Sequence, residues 1–114
     1  MEQAWKAGIV VVVAAGNDGR NLNLNPEGYG TIEAPGNDPY VLTVGAMNTN
    51  FTPQINDDII ASYSSKGPAV IDHTVKPDIV APGNLVTGLK FDSDPLAVNN
   101  PDFYTRYSFY QTNG

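Results

Sequence analysis

Ala14-Ala15-Gly16-Asn17-Asp18-Gly19 sets a carboxamide between two glycines, directly after an apolar run. An asparagine amide is a neutral hydrogen-bond donor, able to stabilise a developing oxyanion without adding a charge of its own. In open α/β sheets, ligands bind just beyond the carboxyl ends of the strands, which is where this segment falls. Gly16 leaves room for a second backbone to come close. The same residues also spell an ordinary Asn-Asp-Gly turn, and the hexapeptide alone does not separate the two readings.

Other chemistry-bearing residues are fewer. Asp72-His73 invites a general-base pairing, but sequence neighbours point apart and no placed nucleophile accompanies them, so a solvated loop histidine is the expectation. Asp57-Asp58 and Asp92-Ser93-Asp94 lack the alternating ligands and central glycine of a dedicated calcium loop and read as surface acid. The chain has no Cys, hence no disulfide, no thiolate metal site and no thiol nucleophile.

The elements that must position these residues follow from hydrophobic pattern. Met1–Ala7 reads as the last turns of a helix, stopped by Gly8. Ile9-Val10-Val11-Val12-Val13-Ala14-Ala15 opens with five β-branched residues and has no polar alternation, which predicts a strand buried on both faces of a parallel, helix-covered sheet. A loop is expected over 20–30, and a second buried strand over Tyr40–Ala46, entered through Pro35-Gly36-Asn37-Asp38-Pro39. Residues 47–58 read as loop, Ile59–Tyr63 as a third strand, Asp78–Ala81 as a fourth, and Leu85–Phe91 as a fifth. The aromatic cluster Phe103–Tyr110 reads as core or cleft lining. Parallel strands need helices on both faces, and one helical stub is too few. The pattern is that of the middle of an α/β domain, an incomplete fragment spanning residues 1–114.

Composition narrows the function classes. Twelve acidic residues against six basic give a net charge of −6, with charged residues at 16% and hydrophobic residues at 41%. Such a chain lacks the clustered cations that nucleic acid or an anionic membrane surface demands. It holds enough apolar material for a core, and no run approaches the ~18 residues of a transmembrane helix. The 11 Gly and 9 Pro, with many Asn, mark a chain rich in turns.

Five blocks taken in order resemble the subtilases, the subtilisin-like serine peptidases. They are Ala14-Ala15-Gly16-Asn17, Ala34-Pro35-Gly36, Tyr40–Ala46, Ala61-Ser62-Tyr63-Ser64-Ser65-Lys66-Gly67-Pro68 and Lys76-Pro77-Asp78-Ile79-Val80-Ala81-Pro82-Gly83. Each is weak alone, and the ordered set is specific. The resemblance implies a mainly parallel sheet covered by helices and a Ser-His-Asp endopeptidase that needs no cofactor for its chemistry. Asn17 matches the family's oxyanion asparagine. The Asp and His motifs would precede Met1, and Gly114 resembles the first residue of a Gly-Thr-Ser motif whose serine would follow, so the chain alone is expected to be inactive and poorly soluble.

The resemblance also implies that Ala14, Ala15 and Gly16 form one wall of the S1 pocket, with substrate adding a strand along such segments. Glu33, Ala34, Pro35 and Gly36 match the pocket's far end. Glu33 departs from the small residue common there: it is either a solvated loop carboxylate or a charge that selects Arg or Lys at P1. The implied partner is a peptide or protein substrate, with neither nucleic acid nor membrane. Secretion is common in the family, and structural calcium held by loop carbonyls stays open. A second reading is a non-catalytic subtilase-like module that binds peptides.

Overall fold

A computed structural model describes residues 1–21, 23, 25–89 and 109–112. The elements are helix α1 (Glu2–Lys6), strands β1 (Val12–Ala14) and β2 (Leu42–Asn48), a 3-10 turn at Ile55–Asp57, and strands β3 (Ile59–Ile60), β4 (Ile79–Pro82), β5 (Val86–Leu89) and β6 (Phe109–Thr112).

The stub α1 carries an exposed Glu2–Lys6 ion pair at 2.7 Å, one turn apart, a spacing that supports a helix by a few tenths of a kcal/mol. Gly8, at φ 79°, ends it in the left-handed conformation favoured by glycine. Its N–H donates to Trp5 O, and the Ile9 N–H reaches back to Ala4 O. The Trp5 ring meets Tyr40 at 5.3 Å between centroids, tying the stub to the entry of β2.

β2 is the axis of the sheet. Its first half pairs in parallel with β1 (Val12 with Leu42, Ala14 with Val44). β4 pairs in parallel along the other edge, from Val44–Ile79 to Met47–Pro82. Past the end of β1, β3 takes over its edge in the antiparallel sense, Met47 opposite Ile60. The sheet is therefore mixed, with a parallel centre β1-β2-β4 and a short reversed strand. β5 and β6 form a separate antiparallel pair.

The interior is small and hydroxyl-rich. Buried apolar residues are Ala15, Ile32, Val41, Ala61 and Ala69; beside them lie Thr31, Thr43, Ser64, Ser65 and Lys76. Each polar group has an assigned partner: Thr43 Oγ1 donates to Gly36 O at 2.6 Å, Thr31 Oγ1 to Gly28 O, and Ser64 Oγ accepts the Ala46 N–H at 3.0 Å. Among the described residues no buried side-chain N or O lacks a partner, as expected where unpaired burial costs more than a bond returns.

Lys76 joins the two parallel strands of this interior. Its Nζ donates to Val41 O at 2.8 Å and to Asp78 Oδ2 at 2.7 Å. The same Oδ2 accepts the Thr43 N–H at 2.7 Å, and the Asp78 N–H returns a bond to Thr43 O. The Lys76 side chain is 3% exposed and that of Asp78 33%.

The double-sided burial expected for the first apolar run is not observed. Val10 is 76% exposed and Val12 60%. β1 has a single strand neighbour among the described residues, and α1 is the only α-helix among them. The physical reason is the shortage of cover: a pattern written for two buried faces meets only one packed side.

Candidate functional site

The Gly16–Gly19 segment leaves the carboxyl end of β1 and docks on the turn that follows β3. Ala15, 2% exposed, still belongs to the sheet: its N–H donates to Val44 O, and its carbonyl accepts the Glu33 N–H at 3.1 Å. Gly16 O then accepts the Ser65 N–H, and the Gly19 N–H donates to Tyr63 O at 2.9 Å. Between them, the Asp18 N–H donates to Ser65 Oγ at 3.0 Å. Arg20 completes the dock through its Nε, 2.9 Å from Ser62 Oγ, with a second guanidinium contact to the same oxygen. The backbone is thereby anchored on both sides of Asn17.

The Asn17 side chain itself is exposed, and its amide takes no hydrogen-bond partner among the described residues. An anchored backbone carrying an uncommitted amide leaves only the side chain to be ordered if a ligand accepts from it.

Two glycines make the dock possible. Gly16 sits at φ +110°, where a Cβ would come within 2.8 Å of Ser65 Oγ and 2.9 Å of the Glu33 Cγ and Cδ. At Gly19 a Cβ would fall 2.2 Å from Ser64 O. Gly19→Ala must push two backbones apart, and overpacking of this kind costs about 1–3 kcal/mol or more. A lowered Tm of the intact protein is the expected result; an unchanged Tm would mean that the loop does not dock on Ser64.

The second predicted wall lies alongside the first. Glu33, Ala34 and Pro35 run past the end of β1, tied there by the Glu33 N–H bond to Ala15. Gly36 passes so close that a Cβ would lie 2.9 Å from Ala14 O. Ala14, Gly16, Asn17, Glu33, Ala34 and Pro35 thus lie around the end of β1, with Ala15 buried among them. Glu33 is exposed, and its carboxylate makes no ion pair among the described residues, where the ion pairs are Glu2–Lys6 and Lys76–Asp78.

Ser62–Ser65 is what sequence reasoning missed. The block appeared as a motif, with Ser62 and Tyr63 assigned to a strand, yet its hydroxyls and carbonyls are the platform on which the Asn17 loop rests. Lys66 extends it: its N–H donates to Thr31 Oγ1 at 3.0 Å, and its carbonyl accepts the Thr31 N–H. A run of hydroxyls opposite a glycine-rich loop was the available signal.

The remaining candidates are not brought to the site. The Asp72 carboxylate accepts the Thr74 N–H at 3.1 Å, and that bond, above all, holds its carboxyl below the ordinary range. His73 is exposed in the same turn, its N–H on Ala69 O. The Asp57 carboxylate accepts the Thr52 hydroxyl at 2.8 and 2.9 Å. Among the described residues no group of three or more His, Asp or Glu converges to hold a metal ion, and no helix is long and apolar enough to cross a membrane. Asp92-Ser93-Asp94 and Gly114 lie outside the described residues, as does the aromatic cluster except Phe109 and Tyr110, whose backbones form part of β6.

The Subtilase family (Peptidase_S8) matches residues 1–112. Serine protease AprX of Bacillus subtilis (strain 168) is 48% identical over 90 residues, covering 79% of this chain and 19% of AprX. Subtilisin-like protease SBT6.1 of Arabidopsis thaliana is 35% identical over 101 residues, 82% of this chain and 8% of that protein. Pyrolysin of Pyrococcus furiosus is 30% identical over 122 aligned residues, 90% and 8% respectively. The chain therefore spans less than a fifth of the length of each of these relatives. Matched from its first residue to within two of its last, this chain belongs to the subtilase family.

Proposed function

We propose that this chain supplies the oxyanion donor and a substrate-binding wall of a subtilisin-like serine endopeptidase whose Ser, His and Asp lie elsewhere in the intact protein. The observation that carries the reading is the uncommitted Asn17 amide at the carboxyl end of β1, on a backbone fixed by Ser65 and Tyr63. The protease names of relatives that share most of this chain support it, and so does the short share of those relatives that the chain spans.

In the proposed reaction a histidine takes the serine proton, the serine attacks the scissile carbonyl, and an aspartate holds the imidazole in the useful tautomer. The carbonyl oxygen gains negative charge as the tetrahedral intermediate forms. Asn17 donates to that oxygen, and its backbone needs no reorganisation at that moment. Ala14, Ala15 and Gly16 face the P1 side chain on one side, and Glu33, Ala34 and Pro35 close the pocket. The chemistry uses no cofactor, and the partner is a peptide or protein. The exposed apolar faces of β1 and β4 support a larger, mainly parallel sheet with helices on both sides. Secretion belongs to the same proposal.

Treatment of the intact protein with a fluorophosphonate tests the reading. Expected are one covalent adduct per protein, on a serine outside this chain, and parallel loss of peptide hydrolysis. Peptide binding without hydrolysis or labelling would instead establish a non-catalytic binding module.

A further inference from the structure

We infer that Glu33 makes this a site for basic P1 side chains, Lys or Arg, an inference that rests on the proposed peptidase reading and names its substrate class. Three observations carry it. The first is position. The Glu33 N–H is bonded to Ala15 O at 3.1 Å, so Glu33 is anchored beside the very residues that lead to Asn17 and is not at the tip of a loose loop.

The second is direction. The glutamate Cγ and Cδ lie 2.9 Å from where a Gly16 Cβ would stand. The side chain therefore folds over the bare backbone of Gly16, one residue from the oxyanion donor, into space that any other residue at 16 would occupy. Gly16 and Glu33 act as a matched pair: the missing side chain of one houses the carboxylate of the other.

The third is charge. Every lysine and arginine side chain within the described residues is engaged elsewhere. Lys6 pairs with Glu2, Lys76 with Asp78, Arg20 bonds Ser62, and Lys66 lies over the Tyr29 ring at 5.7 Å while bonding Glu27 O. The Glu33 carboxylate has no cation among them, and the chain as a whole carries −6. A substrate ammonium or guanidinium entering between the Ala14–Gly16 and Glu33–Pro35 walls would meet an unpaired carboxylate as it sheds water, the condition under which a charge-assisted hydrogen bond is strongest. An apolar P1 side chain would have to desolvate that carboxylate with nothing in return. The acid thus acts against Leu or Phe as well as for Lys or Arg.

The test uses the intact protein and peptides identical except at P1, with Lys, Arg, Gln, Glu or Leu in that position. The readout is the ratio of kcat/KM values within each variant, so that folding and active-enzyme concentration cancel. Expected for the unaltered protein is Lys and Arg over Leu, with the ratio falling as salt rises. Glu33→Gln should lower the Lys-to-Leu ratio about 10- to 100-fold, the worth of a hydrogen bond between charged groups. Glu33→Lys should move the preference to P1 Glu. A Leu preference unmoved by Glu33→Gln would overturn the inference and leave the peptidase reading standing. Absence of hydrolysis for every peptide would overturn both.

Discussion

Asn17→Ala is expected to lower kcat of the intact protein by about 10²–10³ with KM changed only a few-fold; that magnitude is the one known for the oxyanion asparagine of subtilisin, a member of the same family. The split between the two constants follows from where the amide acts in the proposed reaction. A donor aimed at the developing oxyanion contributes in the transition state and little to the bound ground state, so its removal falls on kcat. The substitution should also be structurally mild. The Asn17 amide bonds to no described residue and is exposed, while the bonds that shape the loop come from the backbones of Gly16, Asp18 and Gly19. Thermal melting should move by less than about 0.5 kcal/mol equivalent, the usual range for surface changes. A kcat within threefold of the unaltered protein would remove Asn17 from the mechanism. A large loss of Tm would reassign it to loop structure.

The second large effect falls on stability. Asp78→Ala should destabilise by about 3 kcal/mol, the lower end for breaking a buried ion pair, because the aspartate keeps part of its surface in water. It strips Lys76 Nζ of its ionic partner inside the sheet and leaves the Thr43 N–H without its acceptor. Replacing Lys76 and Asp78 together, by Met and Asn, should cost less than the sum of the single changes, since no buried charge is then stranded.

The same contact gives a pH dependence whose sign is fixed. The Lys76 hydrogen bond, first, and then the Thr43 N–H and the Lys76 charge hold the Asp78 carboxyl below its ordinary value of 3.8, against an opposing desolvation. A folded value below the unfolded one contributes stability that is complete above about pH 4 and is lost as pH falls through the lowered folded value. Denaturant midpoints of the intact protein, measured from pH 5 to pH 2, should fall over that acid window. The fall should be shallower in Asp78→Asn. Parallel curves for the two proteins would show that Asp78 does not couple to folding.

Local pattern carried much of this structure, and distant pairing carried the rest. Asp78–Ala81 came within a residue of β4 because flanking prolines and an apolar run define a strand without outside help. The second strand was expected over Tyr40–Ala46 and lies two residues later, at Leu42–Asn48, since pairing with β4 and β3 extends it past Ala46. Ile59–Tyr63 shortened to Ile59–Ile60 for a long-range reason. The Tyr63 carbonyl is taken by Gly19 and its hydroxyl by Gly83 O, so the chain turns where β-propensity favours continuing. No local property of two isoleucines reveals that β3 runs antiparallel. At the site, the position of Asn17 just past the end of β1 was legible, because the apolar run before it and the glycines around it mark a strand end. The Ser65 anchor was not, since a serine hydroxyl looks the same whether it faces water or a loop.

The bond from Asp18 to Ser65 spans 47 positions of sequence, and the Lys66–Thr31 bond spans 35. Such separations belong to slow, non-local folding. They also impose a schedule during synthesis. At roughly 5–20 residues per second, the ribosome delivers Ser65 roughly 2–10 s after Asp18. Until then the Gly16, Asp18 and Gly19 bonds that anchor the Asn17 backbone to the Tyr63–Ser65 turn cannot form. The Asn17 loop is an early-made part whose final anchor is a later-made part, so the nascent chain passes through an interval in which its proposed catalytic donor exists without that anchor.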